Sequence, residues 1–296
     1  MSQIANVTGR YLPQKQAQVH IEDRGYQFAD GIYEVTCIWN GLPVDYAGHL
    51  ARLKRSLREL RIASPMSDGA WSVILKEIIR RNHISKGTIY MQVNRGVAPR
   101  LHTFPGTSVK PSVVVTAKHG AGPAESVAEA GVKVVTVVDQ RWGRCDIKSV
   151  GLLANALAKQ TAAEAKAFEA LLHRPDGTVT EAAASNAWMV TPDQVLITHP
   201  VGNAILAGVT RGTVIKMARA AGYKVEERPF TLQETKRAKE VFLTGTTTFV
   251  MPVVKIDERP VANGAPGTVA LDLRARYRAF MDSLTPKQAW GDVWNA

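Results

Sequence analysis

Trp142-Gly143-Arg144-Cys145-Asp146-Ile147-Lys148-Ser149 runs into Val150-Gly151-Leu152-Leu153, and the reading of the chain turns on this stretch. An amine held between an extended segment and the apolar start of a helix is partly desolvated. Desolvation disfavours an ammonium ion, and a lysine so placed becomes a usable nucleophile near neutral pH. On local pattern alone, a lysine beside Asp146 is more often a solvated surface charge. A role for Lys148 therefore has to be argued from the residues that accompany it.

The 296 residues can bury a large core, in one large domain or two medium ones. Hydrophobic residues at 45% and charged residues at 21% are ordinary for a globular protein. The net charge of +11 permits nucleic-acid binding, but the positive residues are scattered. The densest run, Arg52, Lys54, Arg55, Arg58 and Arg61, lies on an expected helix and reads as a solvated face. The same surplus favours small anions such as phosphates and carboxylates. Two cysteines, Cys37 and Cys145, imply no disulfide framework and suit a reducing compartment. Met1-Ser2-Gln3-Ile4 lacks the basic-then-apolar order of a signal peptide, and no apolar run approaches the roughly 20 residues that span a bilayer. These features predict a soluble cytoplasmic protein with no membrane or nucleic-acid partner.

Val19 to Glu22 reads as extended, Asp23-Arg24-Gly25 as punctuation, and Gly31 to Trp39 as a β-branched and aromatic strand. Asn40-Gly41 signals a hairpin that returns through Leu42-Pro43-Val44. Helices are expected at about 48–62, with Leu50, Leu53, Leu57 and Leu60 as the buried stripe, and at about 68–82. Strands at 88–93 and 112–117 complete an α+β unit. The glycines and proline of His119-Gly120-Ala121-Gly122-Pro123 mark a linker. The second half reads as mixed: strands at 132–138, 168–173, 178–180, 187–190, 194–198, 240–243 and 250–256, and helices at 152–167, 211–221, 231–239 and 271–284. In this reading Thr210 caps the helix at 211–221. The expected organisation is a small α+β domain over 1–118, a linker at 119–124, and a larger domain of mixed strands and helices over 125–296.

A cofactor with both a phosphate and an aldehyde needs a lysine, a phosphate cradle, a carboxylate for its ring nitrogen and an anchor for the substrate. Gly208-Val209-Thr210 opens a helix, where backbone N–H groups and the dipole favour an anion. Gly245-Thr246-Thr247-Thr248 ends a strand with hydroxyls and amides, a second anion nest. Taken alone, each feature is more often plain chemistry: a helix cap at Thr210 and a strand-end turn at the threonine run. Glu181, followed by Ala182-Ala183-Ala184, can approach a flat ring closely and keep a pyridine protonated; alone it also reads as an exposed strand-end acid. Arg100 and His102 would point the same way from an extended segment and could bind a carboxylate, or belong to an incidental surface loop. The histidines and cysteines have no metal-site spacing, and neither a GxSxG nor a Walker sequence occurs.

Taken together, Glu22 to Val35, the helix with His49 and Arg52, Pro99 to His102, Arg141 to Leu153, Thr178 to Glu181 with Ser185-Asn186, Leu206 to Arg211 and Thr244 to Pro252 resemble the fold-type IV pyridoxal-phosphate aminotransferases. The likeness is closest to the bacterial D-amino-acid group and runs collinearly over nearly the whole chain. It implies that Lys148 forms the Schiff base with pyridoxal 5'-phosphate and shuttles the α-proton, and that Glu181 partners the pyridine nitrogen. By the same resemblance Arg52, Val209, Thr210, Thr246 and Thr247 hold the phosphate. Tyr33, Arg100 and His102 trap the substrate carboxylate, the last two from a neighbouring subunit of a homodimer. The implied reaction moves the amino group of a D-amino acid, such as D-alanine, to a 2-oxo acid such as 2-oxoglutarate or pyruvate. Alternatives sharing the fold are (R)-amine transaminases, branched-chain aminotransferases and aminodeoxychorismate lyases; a basic nucleic-acid-binding protein is the alternative outside it. The sequence departs from the pattern at Ala182, Ala183 and Ala184, where the relatives carry glycine and serines, at Gly245 in place of a serine, and at Phe249 in place of an acid.

Overall fold

The structure, a computed structural model, describes residues 3–120 and 122–291; Ala121 of the expected linker lies outside them. The chain forms two compact units. One takes the chain up to the glycine-rich stretch together with Ile147–Gly151 and the residues from Asp282 onward; the other takes Gly122–Asp146 and Leu152–Met281.

The first unit is built on a six-stranded antiparallel sheet. Its elements are β1 (Ile4–Val7), β2 (Arg10–Pro13), α1 (Arg24–Phe28), β3 (Gly31–Trp39), β4 (Leu42–Pro43), α2 (Tyr46–Glu59), α3 (Asp68–Arg81), β5 (Gly87–Asn94) and β6 (Ser112–His119), in the sheet order β2-β1-β6-β5-β3-β4. Asn40 and Gly41 both take positive φ, as a two-residue hairpin turn requires. The leucine stripe of α2 and Trp71, Leu75 and Ile78 of α3 pack with Ile32, Ile38, Ile89, Met91 and Val115 of the sheet. Helix α2 stops at Glu59 rather than near residue 62, because Arg61 turns into the left-handed region and Arg95 takes the carbonyls of Leu60 and Arg61. The segment expected to be extended before Asp23 forms no strand; Asp23 instead caps the short helix α1, accepting from Gly25 N at 2.8 Å.

The second unit holds α4 (Glu125–Ala130), β7 (Val132–Val138), α5 (Leu153–Glu164), β8 (Glu169–His173), β9 (Thr178–Ala182), β10 (Asn186–Val190), β11 (Leu196–Thr198), α6 (Val209–Ala220), β12 (Val225–Glu227), β13 (Phe230–Thr231), α7 (Leu232–Thr235), β14 (Glu240–Gly245), β15 (Phe249–Ile256), β16 (Arg259–Pro260) and α8 (Thr268–Asp282). Its sheet runs β12-β11-β10-β14-β15-β7-β8-β9-β13, with β16 on β15. The pairs β15–β7, β7–β8 and β11–β12 are parallel and the others antiparallel. Leu171, Val179, Met189, Leu243, Met251 and Val253 supply much of its core. Helix α6 begins two residues earlier than expected. Its N-cap is Gly208, and Thr210 lies inside the first turn instead of capping it.

Candidate active site

Strand β3 sends successive side chains to opposite faces, and this separates two groups in the first unit. On the face toward α2 lies Glu34, fully buried. It accepts from Arg52 Nε at 2.7 Å, Arg52 Nη2 at 2.9 Å and His49 Nδ1 at 2.8 Å, the ring nitrogen roles depending on the tautomer. His49, Arg52 and Ser56 fall at helical spacing on α2, so one stripe presents all three. Burial alone would raise the Glu34 carboxyl, but the guanidinium and the imidazole outweigh it and hold it at about 2. Arg52 is thus buried and ion-paired, not part of a solvated basic face.

On the other face Tyr33 stacks on Tyr90 at 5.6 Å between centroids, and Lys148 Nζ lies 4.2 Å from the Tyr33 ring. The lysine is held there because its segment docks on the edge of β3. Tyr33 N donates to Lys148 O at 2.9 Å, Val150 N to Gly31 O at 3.1 Å, and Lys148 N to Ser56 Oγ at 3.3 Å. Tyr90, pushed up to about 12 by burial and by the neighbouring Tyr33, donates to Gln92 Oε1 at 2.7 Å. Gln92 Nε2 donates to Asn94 Oδ1 at 2.8 Å and Asn94 Nδ2 to Asp23 Oδ1 at 2.7 Å. Residues 90, 92 and 94 share a strand face, which is what lets the ladder form.

Arg100 and His102 come together, but on a third residue. The guanidinium lies 5.1 Å and the imidazole 5.5 Å from the Phe28 ring. No hydrogen bond or ring contact among the described residues joins either one to Tyr33.

In the second unit Glu181, at the end of β9, is buried and gripped from three sides. Arg141 Nη1 donates to one oxygen, Asn186 Nδ2 to the other at 2.8 Å, and Leu206 N to both at 3.2 Å. Arg141 also forks onto Asp139 at 2.9 and 2.7 Å, and the Thr180 hydroxyl donates to Asp139 at 2.7 Å. Against the effect of burial, those donors hold the Asp139 carboxyl below its ordinary value. Asn186 Nδ2 donates to Leu206 O as well, at 2.9 Å, and a Cβ at Gly208 would overlap its side chain. Glycine is therefore required where the head of α6 approaches β10.

Thr246, Thr247 and Thr248 form the turn between β14 and β15, with Gly245 paired to Phe249. The hydroxyls of Ser185 and Thr248 are buried with no hydrogen-bond partner among the described residues, and both residues lie next to Gly245. Buried hydroxyls are normally satisfied, so this corner suits a group with acceptor oxygens. Among the described residues no side chain caps α6, which leaves the Val209-Thr210 turn suited to an anion as well. Pairing on the sequence alone missed the partners Glu34, Asp139 and Asn186. The signal for Glu34 was an acid inside an otherwise apolar strand, and for Asp139 an acid two residues before an arginine at a strand end.

The amino-transferase class IV family matches residues 31–256. The chain is 41% identical to a D-alanine aminotransferase of Bacillus licheniformis, over 94% of this chain and 97% of that protein. It is 39% identical to the D-alanine aminotransferase of Staphylococcus haemolyticus over 94% and 97%. The fold is similar to that of the T.th. branched-chain amino acid aminotransferase with pyridoxamine 5'-phosphate, with a TM-score of 0.87, 28% identity and 97% of each chain covered. With that fold, and with a family match that spans both units, the chain belongs to the class IV amino-transferases.

Proposed function

We propose that this chain is a pyridoxal-phosphate-dependent transaminase that moves the amino group of a D-amino acid, such as D-alanine, to a 2-oxo acid such as 2-oxoglutarate or pyruvate. The observation that carries this reading is the 41% identity with a D-alanine aminotransferase along nearly the full length of both chains. When bound, pyridoxal 5'-phosphate supplies an aldehyde that condenses with amines and a protonated ring that draws electrons from the carbon bearing the amine. Thr246, Thr247, Val209, Thr210 and Arg52 hold its phosphate; the unpartnered hydroxyls beside Gly245 support this choice of group. Glu181 would offer a carboxylate to the ring nitrogen, and its three donors keep that carboxylate oriented. Lys148 would hold the aldehyde, and its amine is the group that would move the proton at the substrate's α-carbon.

Arg100 and His102 bind the substrate carboxylate with Tyr33, the guanidinium by its planar fork. Their separation from Tyr33 in contact terms supports a homodimer in which a second copy completes the trap. Free cysteines at 37 and 145 support a reducing, cytoplasmic setting. The test begins with the visible spectrum of the pure protein. An absorption band from the bound aldehyde should bleach on adding D-alanine, and Lys148→Ala should abolish both the band and turnover. A Lys148→Ala protein that keeps them would remove Lys148 from this account. D-alanine should also outpace L-leucine and an (R)-amine as donor; the reverse order would favour the branched-chain or (R)-amine reading.

A further inference from the structure

We infer that Arg274, on α8, is a positioning residue for the Thr246–Thr248 turn, and through it for the cofactor phosphate. The inference rests on the reading above that Thr246 and Thr247 hold that phosphate.

Arg274 is almost wholly buried, and its planar head is used on every side. Nη1 donates to Thr248 O at 3.1 Å and to Val250 O at 2.7 Å. Nε and Nη2 fork onto the Glu125 carboxylate of α4 at 2.8 and 3.0 Å. Glu125 also accepts from Arg278 Nη1 at 2.7 Å, which fixes it further. The residue between the two gripped carbonyls is Phe249, at φ 57. A bulky L-residue resists that left-handed conformation, so the backbone there needs an external hold. Arg274 provides it, with its guanidinium carbon 5.8 Å from the Phe249 ring, while Tyr277, one turn along α8, stacks on that ring at 5.9 Å. At the middle of the turn the Thr247 carbonyl lies against Gly122, where any Cβ would overlap it. Every group that Arg274 takes from the turn is a carbonyl oxygen. It therefore fixes the backbone without using any of the N–H or hydroxyl donors an anion needs.

Lysine carries the same charge but has one nitrogen, and cannot bridge two carbonyls while forking onto a carboxylate. That difference separates positioning from simple attraction of a negative ligand. The test measures equilibrium binding of pyridoxal 5'-phosphate and of pyridoxal, which lacks the phosphate, to the full-length wild type, Arg274→Lys and Arg274→Gln. Both variants should bind the phosphorylated form about tenfold more weakly and pyridoxal as the wild type does. Wild-type affinity in Arg274→Lys would mean that charge alone matters and would overturn the inference. So would an equal loss for both ligands, which indicates a general structural defect. Should Arg274→Gln fail to fold, Glu125→Gln carries the same comparison, with a smaller but still phosphate-selective loss expected. A wild type indifferent to the phosphate would instead overturn the cradle assignment itself, and the inference with it.

Discussion

Glu34 is the acid on which the α2 face of the first unit depends. Its carboxyl is held at about 2 against an ordinary 4.5 by Arg52 and His49, in spite of complete burial. A depressed carboxyl contributes stability that is fully present above its unfolded pKa and is lost as the pH falls toward its folded one. The window here is therefore about pH 4.5 down to about 2. Glu34→Gln leaves a buried guanidinium without its counter-charge, at a cost of about 3–5 kcal/mol near neutral pH. Urea unfolding of the two proteins at pH 7, 5 and 3.5 checks this. The gap should be level between pH 7 and 5 and narrower at pH 3.5; a constant gap throughout would mean that Glu34 is not ionised in the folded protein. The sequence exposed Arg52 and Glu34 as residues but not as a pair. They are 18 positions apart on a strand and a helix, and no local periodicity encodes which arginine of a basic run turns inward.

Where α6 meets β10, one missing methyl group governs the orientation of a carboxylate. Gly208→Ala would drive a Cβ into Asn186, whose amide is already committed to Glu181 and to Leu206 O. Overpacking of this kind costs about 1–3 kcal/mol, and here it also disturbs the Asn186 bond to Glu181. The variant should melt lower than wild type and lose turnover beyond what its unfolded fraction accounts for. Unchanged melting and turnover would show that the helix can retreat freely. Strand β3 with its Asn-Gly turn, α3 and β7 were legible in the sequence because β-branched runs, apolar helical spacing and turn residues marked them plainly. The head of α6 was not: Thr210 looks like a cap, whereas the need for glycine arises from a neighbour 22 residues earlier. Strands β1 and β2 were missed because they are four residues each and too short for a periodic signal.

At the scale of the molecule, the first unit exposes apolar side chains around the loop that carries Arg100 and His102. Ile21 is 76% and Leu101 63% exposed, with Val19, Tyr26, Val97 and Phe104 also open. The two segments are tied together: Arg24 N donates to Gly96 O, Ala98 N to Glu22 O, and the Arg24 guanidinium to Leu101 O at 2.6 Å. A cluster of this kind marks an association surface, and a second copy of the chain is the occupant consistent with the proposed dimer. Sedimentation should give a dimer for the wild type and a monomer for the double variant Ile21→Glu, Leu101→Glu. A wild type that stays monomeric at micromolar concentration would remove the dimer from the account.

The ladder from Tyr90 through Gln92 and Asn94 to Asp23 has a sense of travel. Each amide is fixed in one of its two flips, because the carboxylate at the foot can only receive. Asn94 must turn its amide nitrogen to Asp23, Gln92 must then turn its own to Asn94 Oδ1, and the Tyr90 hydroxyl gives to the oxygen left over. Removing the hydroxyl at position 90 would leave Gln92 Oε1 without its donor, while Asp23 would still hold Asn94, and through it Gln92, in the same orientation. The loss would stay at the end of the wall nearest the lysine, and the end at Asp23, the residue that starts α1, would keep its bonds.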